Sequence, residues 1–326
     1  MKRGPLPVGV VGVGSLGRHH ARLYATVPGA RLVGVFDPRV RRAAEIAARA
    51  GATAYGSLDR LLDDVEAVSV VVPASAHREV GLAAITRGRH VLIEKPLAAD
   101  LAEAEELVAA AERAGVVLQA GHVERFNGAV RGALRFLASP RHLDFHRAAP
   151  HRGRGGDVCV VRDLMIHDLD LALWLAGGPV DAVEASIDGP EAPLPDAVRA
   201  RVVFESGAVA HFRASRCGHS RERRVRILQE SGGLSLDLAS GTGEFLRVRP
   251  RSGVAPGEGA FHPSDSADRI RIESSAAEPL ALELESFVRS VRTGQPPAVS
   301  GRDGLSALSL AFSVLEAAGA SAVQPV

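Results

Sequence analysis

Three polar residues break into the apolar stretch RDLMIHDLDLALWLAGG, residues 162–178: Asp163, His167 and Asp170. A carboxylate and an imidazole four residues apart on a helix stand on one face, a turn from each other. Such a pair could ligate a metal, move a proton, or form the wet side of an ordinary helix. Zinc takes three or four ligands and no firm third is readable nearby, so a metal is not expected. The positions Asp163, His167, Asp170 and Trp174 follow i, i+4, i+7 and i+11 and share one stripe, while Met165, Leu169, Ala172 and Ala176 form an apolar stripe suited to a core. From these residues alone, surface and catalyst both stay open.

A second set of residues suits a dinucleotide. Gly12-Val13-Gly14-Ser15-Leu16-Gly17 fits G-x-G-x-x-G between a strand, VGVVG, and a helix, and Asp37 lies 20 residues beyond Gly17 at the end of the next strand, RLVGVFD. Gly12 permits the tight turn, Gly14 lets backbone approach a pyrophosphate, and Gly17 allows the helix to pack close, with phosphate against its N-terminus. Asp37 would accept from an adenosine ribose and repel a 2′-phosphate, so NAD is expected over NADP, although Arg39, Arg41 and Arg42 could neutralise such a phosphate.

Ligands of doubly wound sheets lie outside the carboxyl ends of the strands, and three polar clusters fall there. Pro73 and His77 follow AVSVVV, Glu94 and Lys95 follow HVLI, and His122, Glu124, Arg125 and Asn127 follow VVLQAG. The first two clusters are expected at the cofactor and the third at the substrate. Pro96 keeps Lys95 out of helical geometry and extended at the strand end, and a Lys-Pro bond can adopt the cis form.

The elements that must position these groups change character along the chain. To about residue 121, short Val/Ile-rich runs alternate with Ala/Arg/Glu-rich helical stretches, the pattern of a parallel sheet covered on both faces. FNGAVRGALRFLAS reads as a helix. Beyond it, AVRARVVFESGAVAHFRAS and GGLSLDLASGTGEFLRVRP alternate about hairpin turns, and VAPGEGAFHPSDSADR reads as an exposed loop. Helices are expected near 277–293 and 302–318. The predicted fold is α/β, an N-terminal Rossmann domain with a doubly wound parallel sheet (1–121) and a C-terminal α+β domain on a largely antiparallel open sheet (122–326). The C-terminal helices can pack back on the first domain.

The 326 residues suffice for two domains of roughly 100–200 residues each. With 39 basic and 38 acidic residues, net +1, no global field draws the chain to nucleic acid or an anionic membrane. No apolar run approaches the roughly 18 residues of a membrane span. Cys159 and Cys217 form no CxxC pair, so reduced thiols and a cytoplasmic location are expected, and MKRGPLPVGVVGVG reads as a strand rather than a signal peptide.

Taken together, GVGSLG, Asp37, VVPASAH, EKPLA, GHVERFN and the D-x-x-x-H of DLMIHDLD resemble the glucose–fructose oxidoreductase/inositol dehydrogenase/rhizopine catabolism family over nearly the whole chain. The resemblance implies a Rossmann domain followed by an α/β domain whose open sheet often forms a dimer or tetramer interface. It also matches the family's lysine to Lys95 and its Asp and His to Asp163 and His167. GHVERFN with DLMIHDLD looks most like the branch containing UDP-N-acetylglucosamine 3-dehydrogenases, which make 3-keto sugar nucleotides for later transamination, as in lipid A biosynthesis. Many members carry glycine two residues after the motif Asp, where this chain has Met165, so the approach of substrate can differ.

The resemblance gives the polar stripe its chemistry: NAD-dependent oxidation of a secondary hydroxyl of a sugar nucleotide. A histidine's reference pKa of about 6.5 suits His167 to act as base, with Asp163 orienting it and Lys95 favouring negative charge on the alcohol oxygen or acting as the alternative base. His122, Arg125, Asn127, Arg152, Asp163, His167 and Asp170 are the expected substrate contacts. Arg147, Arg152 and Arg154, with SRERRVR (220–226), supply forked guanidinium groups suited to a diphosphate. Oxidation of a free sugar or inositol by the same chemistry, or an NAD-loaded regulatory protein with little catalysis, are the rival readings.

Overall fold

The computed structural model describes residues 4–150, 159–188, 194–248, 267–273 and 277–320. The chain divides into two compact units, Met1–Val123 with Ala277–Ser309, and Glu124–Ala276 with Leu310–Val326.

The first unit is built on β1 (Leu6–Val11), α1 (Gly17–Tyr24), β2 (Ala30–Phe36), α2 (Val40–Ala50), β3 (Thr53–Ala54), α3 (Leu58–Asp64), β4 (Ala67–Val70), α4 (His77–Ile85), β5 (His90–Glu94), α5 (Leu101–Ala114) and β6 (Leu118–Gly121). Its six strands pair in parallel in the order β3-β2-β1-β4-β5-β6. The strand order reverses between β1 and β4, the switch point at which such sheets take their ligands. Val8, Val10, Val68, Val70, Val91 and Ile93 are fully buried, as strands covered on both faces require. Asp100 starts α5 by accepting from the Glu103 N–H at 2.9 Å, and Gly115 ends it in the left-handed conformation at φ 65°.

In the second unit come α6 (Gly128–Ala133), β7 (His142–Pro150), α7 (Ile166–Ala176), β8 (Val180–Ile187), β9 (Ala197–Phe204), β10 (Val209–Ser215), β11 (Cys217–Gln229), β12 (Gly232–Asp237), β13 (Thr242–Val248) and β14 (Ala267–Ile272). Eight strands lie in the order β14-β13-β12-β11-β7-β10-β9-β8, antiparallel throughout except for the parallel pair β7 and β10. The helices α6 and α7 cover one face, α6 against β12 and β13 and α7 against β7 and β10. Helix α8 (Pro279–Thr293) returns to the first unit, where Leu284 and Phe287 join the core formed by β1, β2 and α1. The chain's last helix is α9 (Gly301–Ala317).

Two expectations change in detail. The helix expected over FNGAVRGALRFLAS shrinks to α6 and a 3₁₀ turn, Leu134–Phe136, because Asn127 is extended and caps its start rather than continuing it. The 162–178 helix does not begin as an α-helix: Val161–Met165 form one π turn ahead of α7. Strand β7, not anticipated as a strand, is central to the second sheet.

Candidate active site

In the first unit, the glycine loop between β1 and α1 is packed at its ends and open in its middle. A Cβ on Gly12, whose φ is +83°, would collide with the Val71 carbonyl, and one on Gly17 would collide with the carbonyl of Gly12 itself. Gly14 meets nothing closer than the Arg42 Nη1 at 3.5 Å, and Ser15 and Leu16 are exposed. No side chain caps α1; the Arg18 and His19 N–H groups bond to the Gly14 and Leu16 carbonyls, and the loop stands at the positive end of the helix. This is the cradle a pyrophosphate needs, formed by Gly12, Gly14, Ser15, Leu16 and Gly17.

Asp37 follows β2 and is held in place from two sides. Its Oδ2 accepts from the Val13 N–H at 3.0 Å and its Oδ1 from the Arg39 N–H at 2.8 Å, while Arg42 Nη1 lies 3.4 Å from Oδ2. A carboxylate anchored this way at the rim of the glycine loop is an acceptor for ribose hydroxyls. Pro73 follows β4 and is exposed at the same strand-end edge.

The turn after β5 has an ionic underside. The Lys95–Pro96 bond is cis. Glu94 is buried, its Oε1 3.1 Å from Nε2 of the fully buried His20 on α1 and its Oε2 accepting from the Lys95 N–H at 3.2 Å. Burial favours the protonated acid, but the hydrogen bond and charge of His20, with the charge and N–H of Lys95, outweigh it and hold the Glu94 pKa below the usual carboxylate range. His77 opens α4 with its Nδ1 2.8 Å from the Pro96 carbonyl and its Nε2 2.9 Å from the Val72 carbonyl, and burial pulls its pKa down. Glu94 and His77, expected at the cofactor, tie the strand ends together through polar atoms engaged inside the protein. His122 is buried as well.

In the second unit, the π turn carries Asp163 and the first turn of α7 carries His167, both partly exposed. Such single π turns recur at functional sites. Asp163 is held by Arg216, whose side chain is 7% exposed and whose Nη2 lies 3.5 Å from Asp163 Oδ2 while its Nη1 lies 3.4 Å from Asp196 Oδ1.

Three expected substrate contacts have polar atoms engaged inside the protein. Asp170 is fully buried and takes a bidentate fork from Arg125, with Nη2 to Oδ1 at 2.6 Å and Nε to Oδ2 at 2.9 Å. The Arg125 guanidinium also lies 5.3 Å from the centre of the Trp174 ring. Asn127 caps α6 and donates to Glu124 Oε2 at 3.0 Å and the Leu238 carbonyl at 2.8 Å. These side chains hold α7 and the start of α6 in place. Arg147, expected at a diphosphate, is buried and forked onto Asp168 at 2.7 and 2.9 Å and onto Glu124 at 2.9 Å. Burial disfavours its charge, but Asp168 and Glu124 outweigh that and push its pKa up. Arg152 and Arg154 lie outside the described residues.

Sequence reasoning missed His20, Asp168 and Arg216, and it did not foresee the buried ion pairs of Arg147. A signal existed for two of them: alternation along β7 puts Arg147 on the buried side with Leu143 and Phe145, and Asp168 falls on the stripe of Met165, Leu169 and Ala172. No group of His, Cys, Asp and Glu side chains that could hold a metal ion occurs among the described residues. None of the described helices is long and apolar enough to cross a membrane.

The switch-point glycine cradle with its anchored acidic acceptor defines a dinucleotide-binding oxidoreductase fold, and the comparisons agree. Residues 6–122 match an oxidoreductase family with an NAD-binding Rossmann fold, Gfo/Idh/MocA, and residues 127–235 match the Gfo/Idh/MocA C-terminal domain. The chain is 37% identical over 309 residues to a UDP-N-acetylglucosamine 3-dehydrogenase of Acidithiobacillus ferrooxidans, covering 94% of this chain and 95% of the relative. A solved structure of that protein superposes with a TM-score of 0.88 over 97% of this chain and 98% of the other, at 34% identity. A myo-inositol 2-dehydrogenase of Thermotoga maritima is 29% identical and covers 94% of each chain. Levoglucosan dehydrogenase in complex with NADH shares the fold, with a TM-score of 0.84 over 97% of each chain at 20% identity. The chain belongs to the Gfo/Idh/MocA oxidoreductase family. It is an NAD-dependent dehydrogenase.

Proposed function

We propose that the protein oxidises C3 of UDP-N-acetylglucosamine to the 3-keto sugar nucleotide. The observation that carries this reading is the 37% identity, over 95% of its length, to a relative with that activity, against 29% for the inositol dehydrogenase. Bound NAD supplies the hydride acceptor, and the protein's own residues supply position and proton control. In this reading the glycine loop holds the pyrophosphate, Asp37 the adenosine ribose, and Pro73 borders the same edge. His167 takes the hydroxyl proton, Asp163 orients it, and Lys95 favours the developing negative charge on oxygen or takes the proton in its place. His122 and Arg152 contact the substrate.

The reading extends to a homodimer or homotetramer. The face of the second sheet opposite α6 and α7 carries a groove of about 920 Å³ lined by side chains of both signs. Pairs such as His211–Asp144 at 3.4 Å and Arg201–Glu184 at 3.3 Å recur across it, and rows of mixed charge can complement a second copy about a two-fold axis. The reaction would run in the cytoplasm, upstream of a sugar aminotransferase that consumes the new ketone, within lipid A biosynthesis.

The test is to incubate the protein with NAD and a panel of UDP-sugars, free sugars and inositols, following both reduced nicotinamide and keto product. Keto product from UDP-N-acetylglucosamine, abolished in Lys95→Met and His167→Ala with NAD binding retained, is the expected outcome. Turnover of a free polyol alone would overturn the substrate, and unchanged turnover in both variants would overturn the residue roles.

A further inference from the structure

Residues 220–226 of β11, SRERRVR, hold four arginines, and the pleat of the strand sorts them onto two faces. Val225 and Ile227 are buried on the side covered by α6 and α7, and alternation puts Arg223 and Arg221 on that side. Arg224 and Arg226 point to the other side, where they line the charged groove with Asp144 and His211. Arg223 lies directly across from Arg147 of β7. Like charges placed opposite each other on one face of a sheet repel, so the pair needs acids.

Arg147 has two acids, Asp168 at 2.7 and 2.9 Å and Glu124 Oε1 at 2.9 Å. Arg223 has only a share of the second. Its Nη1 lies 3.2 Å from the same Glu124 Oε1, and it makes no other hydrogen bond or ion pair among the described residues. Its side chain is 39% exposed, so a buried carboxylate fixes one of its nitrogens and leaves the side chain open to a further partner. Arg221 is exposed and holds no ion pair among the described residues. Burial lowers the Arg223 pKa, Glu124 opposes that, and the charges of Arg147 and Arg221 add to it. A cation held against burial and two like charges gains from an added anion, and a forked guanidinium suits the oxygens of a phosphate. The location fits the reaction, because Arg147 forks onto Asp168, the residue after His167 on the first turn of α7. In a sugar nucleotide the diphosphate sits on C1 of the same ring that carries the C3 hydroxyl, so base and anion site must belong to one neighbourhood.

We propose that Arg223, with Arg221 beside it, anchors the diphosphate of the substrate and so selects a sugar nucleotide over a neutral sugar. The proposal rests on the sugar-nucleotide reading above. Its test is calorimetric titration of the full-length, NAD-loaded protein with UDP, beside steady-state turnover of UDP-N-acetylglucosamine. Arg223→Met is expected to weaken UDP roughly 10- to 100-fold and to raise KM to match, with kcat within about threefold of the parent and NAD affinity within about twofold. Arg223→Lys should recover part of the loss, since an ammonium keeps the charge but not the fork. Arg221→Met, a change at an exposed side chain, should weaken UDP about threefold at low salt and less at raised salt. UDP affinity unchanged in Arg223→Met, or equal losses of UDP and NAD, would overturn the proposal, the second because it marks a structural role. Turnover of UDP-N-acetylglucosamine by Arg223→Met at the parent's KM overturns it alone and leaves the sugar-nucleotide reading standing. A parent protein that binds no UDP and oxidises only a free polyol instead sinks that reading, and this proposal with it.

Discussion

Replacing Glu94 with Gln probes the ionic underside of the Lys95 turn. The variant keeps one acceptor for His20, which lies 3.1 Å from Glu94 Oε1, but removes the charge and can turn an NH₂ toward the Lys95 N–H that Oε2 now accepts at 3.2 Å. One buried hydrogen bond to a charged group is worth about 1.5–3 kcal/mol. In a unit of roughly 150–250 residues each kcal/mol moves the Tm by about 2–4 °C, so a fall of about 3–12 °C at pH 7 is expected. The sign of its pH dependence follows from the lowered Glu94 pKa. A depressed carboxylate pKa contributes stability that is present above the ordinary value and is lost as pH falls through the folded-state value. The deficit of Glu94→Gln is therefore full at pH 7 and narrows below the ordinary value of 4.5, as the parent carboxylate is protonated too. Thermal unfolding of parent and variant from pH 7 down to pH 3 is the assay. His20→Asn, alone and combined with Glu94→Gln, completes a double-mutant cycle. A deficit that does not change with pH, or two substitutions whose effects simply add, would refute the pairing.

Three further outcomes follow from the packing. Gly17→Ala drives a Cβ into the Gly12 carbonyl and should cost about 1–3 kcal/mol and weaken NAD roughly 10- to 100-fold, whereas Gly14→Ala, with no protein atom inside 3.5 Å, should weaken NAD at unchanged stability; binding titration beside denaturant unfolding separates the two. Arg147→Met leaves Asp168 and Glu124 buried without their shared cation and should cost about 3–5 kcal/mol in urea unfolding, and a loss under about 1 kcal/mol would contradict the network. Arg216→Met should lower kcat while leaving the affinity for NAD in place, since it releases Asp163 rather than the cofactor loop, with Arg216→Lys recovering only part of the loss; an unchanged pH–rate profile would argue that Asp163 does not depend on it.

What could be read from the sequence was whatever local chemistry dictates. The glycine loop needs only a turn, a close approach and a helix start, all fixed within six residues, and Asp37 follows at a distance set by one βαβ unit. Pro96 restricts Lys95 directly. The alternation of apolar runs with helical stretches was enough for the parallel sheet, because strands buried on both faces are mostly apolar, with Ser69 and Gln119 as buried polar exceptions. The groups that could not be assigned are those whose meaning depends on a distant partner. Asp170 looked like part of the stripe containing His167, yet its partner Arg125 is 45 residues away, and Glu94 meets His20 across 74 residues. An ionisable side chain on an otherwise apolar helix faces either water or a buried counter-charge, and one sequence does not say which.

That division has a physical consequence for the candidate site. Lys95 follows Glu94 and its buried partner His20, Asp163 leans on Arg216, and α7 is fixed by Arg125–Asp170 and Arg147–Asp168. Buried ion pairs are poor sources of net stability, since well-packed apolar residues of similar volume often serve as well or better. What a bidentate fork supplies that leucine does not is direction: it fixes the rotation of a helix and the angle of a turn to within the width of a hydrogen bond. Proton transfer depends on placing a base within about 2.6–3.2 Å of the hydroxyl it serves, a tolerance that apolar packing alone holds less sharply. The same groups that obscured the sequence reading, acids and arginines set into apolar surroundings, are thus the ones suited to fixing the turn at Lys95 in the first unit and, separately, the π turn and α7 in the second.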